Sequence, residues 1–399
     1  MIEGNDIICF SNDWDGDPLS KKHIATRLAR KNRILWVNSI GNRNPTISAH
    51  DLRRALKKFS QCCRGLRRVG DNIWVLAPLV IPFHGSRTAR QVNRRLLRLS
   101  IEQARRTLAF QQPITWTFVP SSADVAGSLG ERLLVYHCVD EFSQFTGTNR
   151  GAIREMERRL LSRADVVIVS SAKLYESKRA YNRNTFLVRH GVDVEHFRKA
   201  CLDTTPEPEE CRRLRRPIIG FFGLIADWVD LPTIRHIALA RAQWSFVLIG
   251  KIQTDASALR GLPNVHLLGR RDYESLPAYC KAFDIAILPF VVNELTAAAN
   301  PLKLREYLAA GLPVVATPLP EVQELDGWVR AAQSPQEFLT QIENLLRERR
   351  VSRLAVSKSM DSESWDQKVE ELSRVVASCL ATPNREAERL RAAGAVPAA

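Results

Sequence analysis

The chain has 399 residues, enough for two or three domains, and its 45% hydrophobic and 25% charged residues are those of an ordinary globular protein. No run approaches the roughly 18 uninterrupted apolar residues of a membrane-spanning helix, and Met1-Ile2-Glu3-Gly4-Asn5-Asp6 lacks the basic-then-apolar pattern of a secretory signal. The formal charge of +15 is concentrated, because residues 51–110 hold 14 Arg or Lys against three acids, Asp51, Asp71 and Glu102; such a patch favours a polyanion or an anionic membrane surface.

Asp6-Ile7-Ile8-Cys9-Phe10 is a short apolar run and predicts a first, buried strand. The loop 11–18 follows, and Ser20 can cap a helix over 21–31 that turns Ile24, Ala25 and Leu28 inward. Residues 33–38 predict the second strand. Strand, loop, helix and strand in that order imply a parallel sheet with a crossover helix. The pattern recurs in strands at 73–76, 115–119, 133–139 and 166–170 and in a last strand with its exit loop at 185–193, with helices near 87–109 and 151–163. Residues 202–216 are polar, carry two prolines and read as a linker. The pattern then restarts, with strands at 217–223, 245–250, 265–269, 284–290 and 313–317 and helices near 230–241, 274–282 and 301–310. Amphipathic helices are predicted at 335–347 and 365–379. The expected organisation is a domain at 1–201, the linker 202–216, a second domain at 217–360, a helix at 361–382 that packs back on the first domain, and a flexible tail, 383–399. The eight cysteines are scattered without a C-x-x-C pair, which fits free thiols in a reducing cytosol and not a zinc site.

Asn300 to Thr317 is the most sharply punctuated stretch. Asn300 is a good helix cap, Pro301 suits the first helical position, Gly311 can end the helix in the left-handed region and Pro313 stops it restarting. Leu304, Tyr307 and Leu308 share one face, and Lys303 and Glu306, three apart, share another. The first N–H groups of such a helix attract an anion, Lys303 adds positive charge, and Glu306 can accept hydrogen bonds from sugar hydroxyls. A solvated Lys–Glu pair on an ordinary helix is the plainer alternative. In doubly wound sheets ligands bind beyond the carboxyl ends of the strands, and between two such domains the natural site is a cleft.

His190-Gly191-Val192-Asp193 with Phe197, then Gly220-Phe221-Phe222-Gly223, then the Asn300–Thr317 stretch, follow in that order. With Tyr136–Phe142 and Ser364-Trp365, they resemble the retaining, family-4 glycosyltransferases of the GT-B fold, nearest to bacterial teichuronic-acid and exopolysaccharide transferases. The resemblance runs over roughly 5–380 and implies an α/β protein of two facing Rossmann-like domains with an interdomain cleft. It implies an enzyme that moves a sugar, with retention, from a nucleotide-diphosphate sugar held mainly by the C-terminal half to a glycan acceptor; the basic region 51–110 adds the expectation that this acceptor is lipid-linked. On that resemblance Glu306 grips the donor ribose, Gly269 and Arg270 match the turn that contacts the base, and Gly223, His190, Asn300 and Lys303 complete the donor side. Asp140 and His137, after an N-terminal strand, are the candidates for front-face assistance; a satisfied core histidine is the alternative for His137. Two places depart from the family. Ala298 stands where a second glutamate is common, with Glu294 out of register, and Ile225-Ala226-Asp227-Trp228-Val229-Asp230 replaces the usual Arg and Lys pair.

Asp13-Trp14-Asp15 spells the Asp-x-Asp of metal-dependent transferases of another fold, but directly after the first strand Asp13 and Trp14 read as an acceptor-side loop, and neither a metal nor a cofactor is expected. Arg87, Arg90, Arg94, Arg98 and Arg105 recur at helical steps as a basic stripe, and Arg53, Arg54, Lys57 and Lys58 form a second cluster. Both are expected to dock a cytoplasmic enzyme on the inner face of the plasma membrane. A non-catalytic binding protein of the same fold and a nucleotide-sugar epimerase are the rival readings; nucleic acid is not an expected partner, because no aromatic-studded recognition motif accompanies the basic region.

Overall fold

The computed structural model describes residues 1–38, 65–81, 86–325, 327–348 and 352–381. The chain forms two compact units, one of Met1–Arg189 with Val369–Ala399, the other of His190–Lys368. Residues 202–216 lie inside the second unit and include one helical turn, Glu209–Arg212.

The first unit holds eight strands, β1 (Asp6–Phe10), β2 (Arg33–Val37), β3 (Leu66–Gly70), β4 (Ile73–Leu76), β5 (Ile114–Thr117), β6 (Leu133–Cys138), β7 (Val166–Val169) and β8 (Thr185–Leu187). They lie in the order β3-β4-β2-β1-β5-β6-β7-β8. Every neighbouring pair is parallel except β3 with β4. The second unit holds β9 (Ile218–Phe222), β10 (Ser245–Ile249), β11 (Val265–Gly269), β12 (Ile285–Leu288), β13 (Val314–Ala316) and β14 (Val329–Ala331). Their order is β11-β10-β9-β12-β13-β14, all parallel. In each sheet the chain starts at a central strand, builds outward to one side, then returns to build the other. That leaves a switch point, beside β1 and β5 in one sheet and beside β9 and β12 in the other, where ligands bind in such folds.

The strands are short apolar runs because helices cover both faces of a parallel sheet. β6, Leu-Leu-Val-Tyr-His-Cys, and β7, Val-Val-Ile-Val, are buried at every position. Two strands escape sequence reading. β3 is Leu-Arg-Arg-Val-Gly, an antiparallel edge strand whose arginines leave it partly exposed, as edges that resist further pairing are. β14 is three residues long and buries only Val329. In the terminal helix Trp365–Ala381, Val369, Leu372 and Val376 fall on one buried face, and the Met1 ammonium pairs with Glu370 Oε2 at 2.7 Å. The tail from 382 onward lies outside the described residues.

The helix Leu302–Ala309 ends as its glycine requires. Gly311 has φ +74°, its N–H donates to Leu308 O at 2.9 Å, and the Leu312 N–H donates to Tyr307 O at 3.0 Å, the double closure that a left-handed residue makes possible. A Cβ at position 311 would also stand 2.4 Å from Arg353 O. Gly311→Ala is therefore expected to cost more than about 1 kcal/mol, seen as an earlier urea transition with the secondary structure at low urea unchanged; a variant as stable as the parent would contradict this account.

Candidate active site

The carboxyl edge of the second sheet is built on glycine. β9 runs into Gly223, whose N–H donates to Ile249 O at 2.9 Å, and the Gly250 N–H donates to Gly269 O at 2.9 Å. Gly250 has φ +152°, and a Cβ there would fall 1.7 Å from Gly223 O. Only glycine lets the loops after β9 and β10 approach this closely.

The helix Leu302–Ala309 follows β12 and faces this turn. Its start departs from the sequence expectation. Pro301 occupies the cap position, and no side chain caps the helix. Asn300 is buried instead, with its Oδ1 accepting from Arg305 Nη1 at 2.6 Å and its Nδ2 donating to Glu321 Oε2 at 3.1 Å. A buried guanidinium claims the oxygen that a capping Asn would turn to the backbone, and capping rules do not weigh that competition. The Leu304 N–H reaches Pro301 O at 3.2 Å, which leaves Leu302 and Lys303 N–H without intrahelical acceptors, the donors that an anion takes at a helix start.

One turn on, Lys303 Nζ lies 2.8 Å from Glu306 Oε2 and 4.9 Å over the Phe222 ring. The Lys303 stem runs beside Gly223, with Cε 3.6 Å from where a Cβ on that glycine would sit. Tyr307 staples the helix to β9: its hydroxyl accepts the Phe222 N–H at 2.8 Å and donates to Phe222 O at 3.3 Å, and the rings meet edge to face at 4.8 Å. Gly223, Lys303 and Glu306 are thus brought together. Gly269 (φ +70°) ends β11 beside this edge through its bond from Gly250, and Arg270 is exposed, 4.0 Å from Asp272. His190 is buried with its ring 6.0 Å from that of Trp365. The loop 225–230 is packed down in part: Ile225, Ala226 and Val229 are buried, Ile225 and Val229 bridge Ile252 and Phe290, and Asp230 caps the next helix through the Thr233 N–H at 3.0 Å. Ala298 is buried after the short helix Glu294–Ala297.

In the first unit His137 and Asp140 sit at the carboxyl end of β6, beside a residue the sequence reading did not single out. Lys21, on the first turn of the helix Ser20–Leu28, is buried; its ammonium donates to Asn12 Oδ1 at 3.2 Å and lies 5.5 Å over the Phe142 ring. Phe142 belongs to the turn that carries Asp140, since its N–H donates to Asp140 O at 3.0 Å. His137 is buried against Phe118 and Trp116, at ring distances of 4.9 and 6.1 Å, and neither ring nitrogen has a hydrogen-bond partner. Burial, reinforced by the Lys21 charge, pushes its pKa down to about 3, so the ring is neutral near pH 7. Burial pushes Asp140 up to about 6, against the opposing pull of Lys21. Of the two candidates Asp140 is the one that titrates near neutrality.

A second missed cluster fixes the same turn. Lys178 Nζ lies between Glu141 Oε2 at 2.8 Å and Glu157 Oε2 at 2.9 Å, and Tyr136 donates to Glu157 Oε1 at 2.7 Å. Nothing in the sequence signals either cluster, because the partners come from different crossovers. In the first loop, the Trp14 N–H donates to Asn38 Oδ1 at 3.0 Å, its ring meets Trp36 edge-on at 5.0 Å, and Lys22 Nζ lies 4.8 Å over it. Asp13 O accepts from the Gly16 N–H, and Asp15 pairs with Arg67 at 2.7 Å. Among the described residues no three His, Cys, Asp or Glu side chains gather as a metal site would need.

The basic stripe is divided. Arg53, Arg54, Lys57, Lys58 and the Arg87 side chain lie outside the described residues. On the helix Arg87–Leu108, Arg90 turns inward and donates to both oxygens of Asp124, at 3.0 and 2.7 Å, and Arg105 bonds Leu129 O and Glu102. Burial raises the Asp124 pKa, but the hydrogen bonds from Arg90 and Arg159 outweigh it and hold the carboxyl below its usual range. The stripe follows the border of the buried face formed by Asn93, Leu97, Ile101 and Ala104, so some arginines meet the protein and others the solvent. Arg94 and Arg98 are exposed, with Arg95, Arg106, Val92 (40% exposed) and Leu99 (69%) beside them on the outer side.

Residues 216–348 match the protein family described as glycosyl transferases group 1. A Bacillus subtilis (strain 168) protein named as a teichuronic acid biosynthesis glycosyltransferase, TuaH, is 32% identical over 184 residues. That alignment covers 44% of this chain and 46% of the relative, so the match spans about half the length of the curated relative. The sucrose-phosphate synthase of Thermosynechococcus elongatus superposes with a TM-score of 0.69 at 15% identity, over 94% of this chain and 99% of that one. The catalytic domain of starch synthase IV from Arabidopsis thaliana, bound to ADP and acarbose, gives 0.65 at 11% identity over 95% and 100%. The UDP-forming trehalose-phosphate synthase of Burkholderia xenovorans gives 0.64 at 13% identity over 95% and 100%. These structural likenesses establish the GT-B fold, two parallel-sheet α/β domains.

The Asp140 environment has a measurable consequence. A carboxyl raised from 3.8 to about 6 holds its proton more tightly in the folded chain, so its contribution to stability is full below the unfolded value and is lost as pH rises through about 6. Asp140→Asn is expected to exceed the parent in stability at pH 7.5 and to equal it near pH 3.5, compared by urea titration at the two pH values. A variant less stable than the parent at pH 7.5 would show that the ionised carboxylate is stabilised.

Proposed function

We propose that this chain, a GT-B protein whose residues 216–348 are a glycosyl transferases group 1 domain, moves a sugar from a nucleotide-diphosphate donor to a glycan acceptor, with retention, in the synthesis of a bacterial surface polysaccharide. The observation that carries the reading is the Lys303–Glu306 pair beside the Gly223 turn, on a helix whose first turn no side chain caps. The departing nucleoside diphosphate gains negative charge in the transition state, and fixed N–H dipoles with a nearby ammonium stabilise that charge as it grows. With a loop that carries no cation, 225–230, in place of the Arg and Lys pair that the resemblance leads one to expect, Lys303 is the cation for the diphosphate. Glu306 holds Lys303 before the donor arrives and takes the ribose hydroxyls afterwards, while Arg270, on its exposed turn, is assigned to the base.

Retention in this fold needs no strong protein nucleophile: the departing phosphate helps to deprotonate the acceptor hydroxyl. Asp140 assists from the acceptor side, where Asp13 and Trp14 contribute the first loop. No metal is assigned, because the diphosphate charge is met by Lys303 and backbone dipoles. The acceptor is assigned as a lipid-linked glycan at the inner face of the plasma membrane. Supporting this are the teichuronic-acid name of the Bacillus subtilis relative and the exposed Arg94, Arg95, Arg98 and Arg106 around Val92 and Leu99. Each arginine near an anionic surface contributes on the order of 1 kcal/mol. The apolar residue at 298 favours one rival, a donor-binding protein without turnover.

Glu306→Ala removes a charge-assisted hydrogen bond of about 1.5–3 kcal/mol and is expected to weaken binding of the preferred nucleoside diphosphate tenfold or more, by calorimetry; unchanged affinity would sink the donor assignment. Donor turnover by the parent protein separates transferase from binder. Sedimentation with vesicles should rise with anionic lipid and fall with salt. Binding indifferent to both, or none at low salt, would leave a soluble acceptor.

A further inference from the structure

Arg305 stands next to the donor-side residues in sequence, yet it points the other way, into the core of the second unit, where it is 1% exposed. Its Nη1 donates to Asn300 Oδ1 at 2.6 Å and its Nε to Glu363 Oε2 at 3.3 Å. Asn300 is tied in turn to the buried Glu321, and Glu363 also takes Lys368 Nζ at 3.3 Å. The backbone of the Glu363 segment holds a second loop: Glu363 O accepts the Val192 N–H at 2.9 Å, and Val192 O accepts the Trp365 N–H at 3.1 Å. Gly191 lies so close beneath Trp365 that an added Cβ would meet the Trp365 Cα and ring at 3.0 Å.

A buried ion pair is a poor source of stability, because apolar residues of similar volume commonly do as well in its place. What a guanidinium supplies that a Leu or Met cannot is direction: a planar fork with fixed acceptors on two sides. Here one side is Asn300, immediately before the helix that carries Lys303 and Glu306. The other is Glu363, whose backbone clasps the loop of His190. We infer that Arg305, with Glu363, is a positioning residue that holds the Asn300–Lys303 helix start and the His190–Val192 loop in one fixed geometry for the nucleotide-diphosphate group. Its effect on ligand rests on the donor site proposed above; its effect on the two loops does not.

The test uses the full chain and two measurements. In Arg305→Met an unbranched, flexible stem is kept and the guanidinium fork is lost. Nucleoside diphosphate affinity, read by calorimetry with UDP, ADP and GDP, is expected to fall at least tenfold for whichever the parent binds, with the melting temperature within a few degrees of the parent. Arg305→Lys, which can satisfy only one side, is expected to fall between them. Arg198→Met is the control: Arg198 bonds Ser357 and Asp361 of the same neighbouring segment without touching Asn300, and it should leave affinity unchanged. Amide hydrogen exchange of the ligand-free proteins supplies the second readout. Arg305→Met should accelerate exchange both at Val192, whose N–H is held by Glu363 O, and at Leu304, whose N–H is held by Pro301 O. Faster exchange confined to its own helix, or a fall in melting temperature with affinity and both loops unchanged, would overturn the inference. A parent that binds none of the nucleotides would remove the donor-site reading, and the exchange comparison would still decide the clamp. If Arg305→Met does not fold, Glu363→Ala, at a partly exposed position, makes the same predictions.

Discussion

A parallel strand can be paired again only after the chain has crossed back over the sheet, so the carboxyl end of such a strand is followed by a loop that leads into a crossover. This constraint places all the candidate chemistry of the protein at two sheet edges. In the second unit it delivers the Gly223 turn, the Gly250 turn and the helix Leu302–Ala309 to the same edge. In the first it delivers Asn12, Lys21, His137 and Asp140. The edges differ in how closely backbone must approach backbone. Gly223 and Gly250 touch at a distance no side chain would allow, and the Tyr307 hydroxyl then locks the end of β9 to the helix by bonding both the N–H and the C=O of Phe222.

Buried charge follows a consistent logic. Lys178 has two carboxylates, Asp124 two guanidiniums and Arg305 an amide and a carboxylate. These groups satisfy the demand that a charge removed from water meet partners, and Lys178 and Arg305 each sit behind a segment that carries candidate site residues. Lys21 is the contrast. Among the described residues it donates to Asn12 Oδ1 and lies over a ring face, and Asp140 is felt through space. The burial that depresses Lys21 and raises Asp140 brings the pair closer to neutrality, which is how environments prepare groups for proton transfer.

The arginine-rich helix separates structural from available charge. Helical spacing aligned Arg90, Arg94, Arg98 and Arg105 on one stripe, but that stripe runs along the margin of the buried face. Asp124 and Leu129 O, brought alongside by other elements, captured Arg90 and Arg105. What remains outward is a mixture of arginines with Val92 and Leu99.

Strand positions, the two-fold repetition of the α/β pattern and the stop at Gly311 were legible in the sequence, because burial on both faces of a parallel sheet demands continuous apolar runs and a left-handed helix end favours glycine. Glu306 and Lys303 were legible as a pair, since three residues of helix bring them together whatever the surroundings. The edge strand β3 was hidden by its own arginines, which protect an unpaired edge and erase the apolar signal. Asn300 was misread as a cap because the rule weighs only the local backbone, whereas Arg305 offered its oxygen a charged partner. The Lys21–Asp140 and Arg305–Glu363 associations were invisible for a simpler reason. Each joins segments far apart in the chain, and which of many possible partners meets a buried charge depends on where the crossovers set it down. Local periodicity determines what each element is; only the packed sheet, which decides which ends become neighbours, determines which charges are shared.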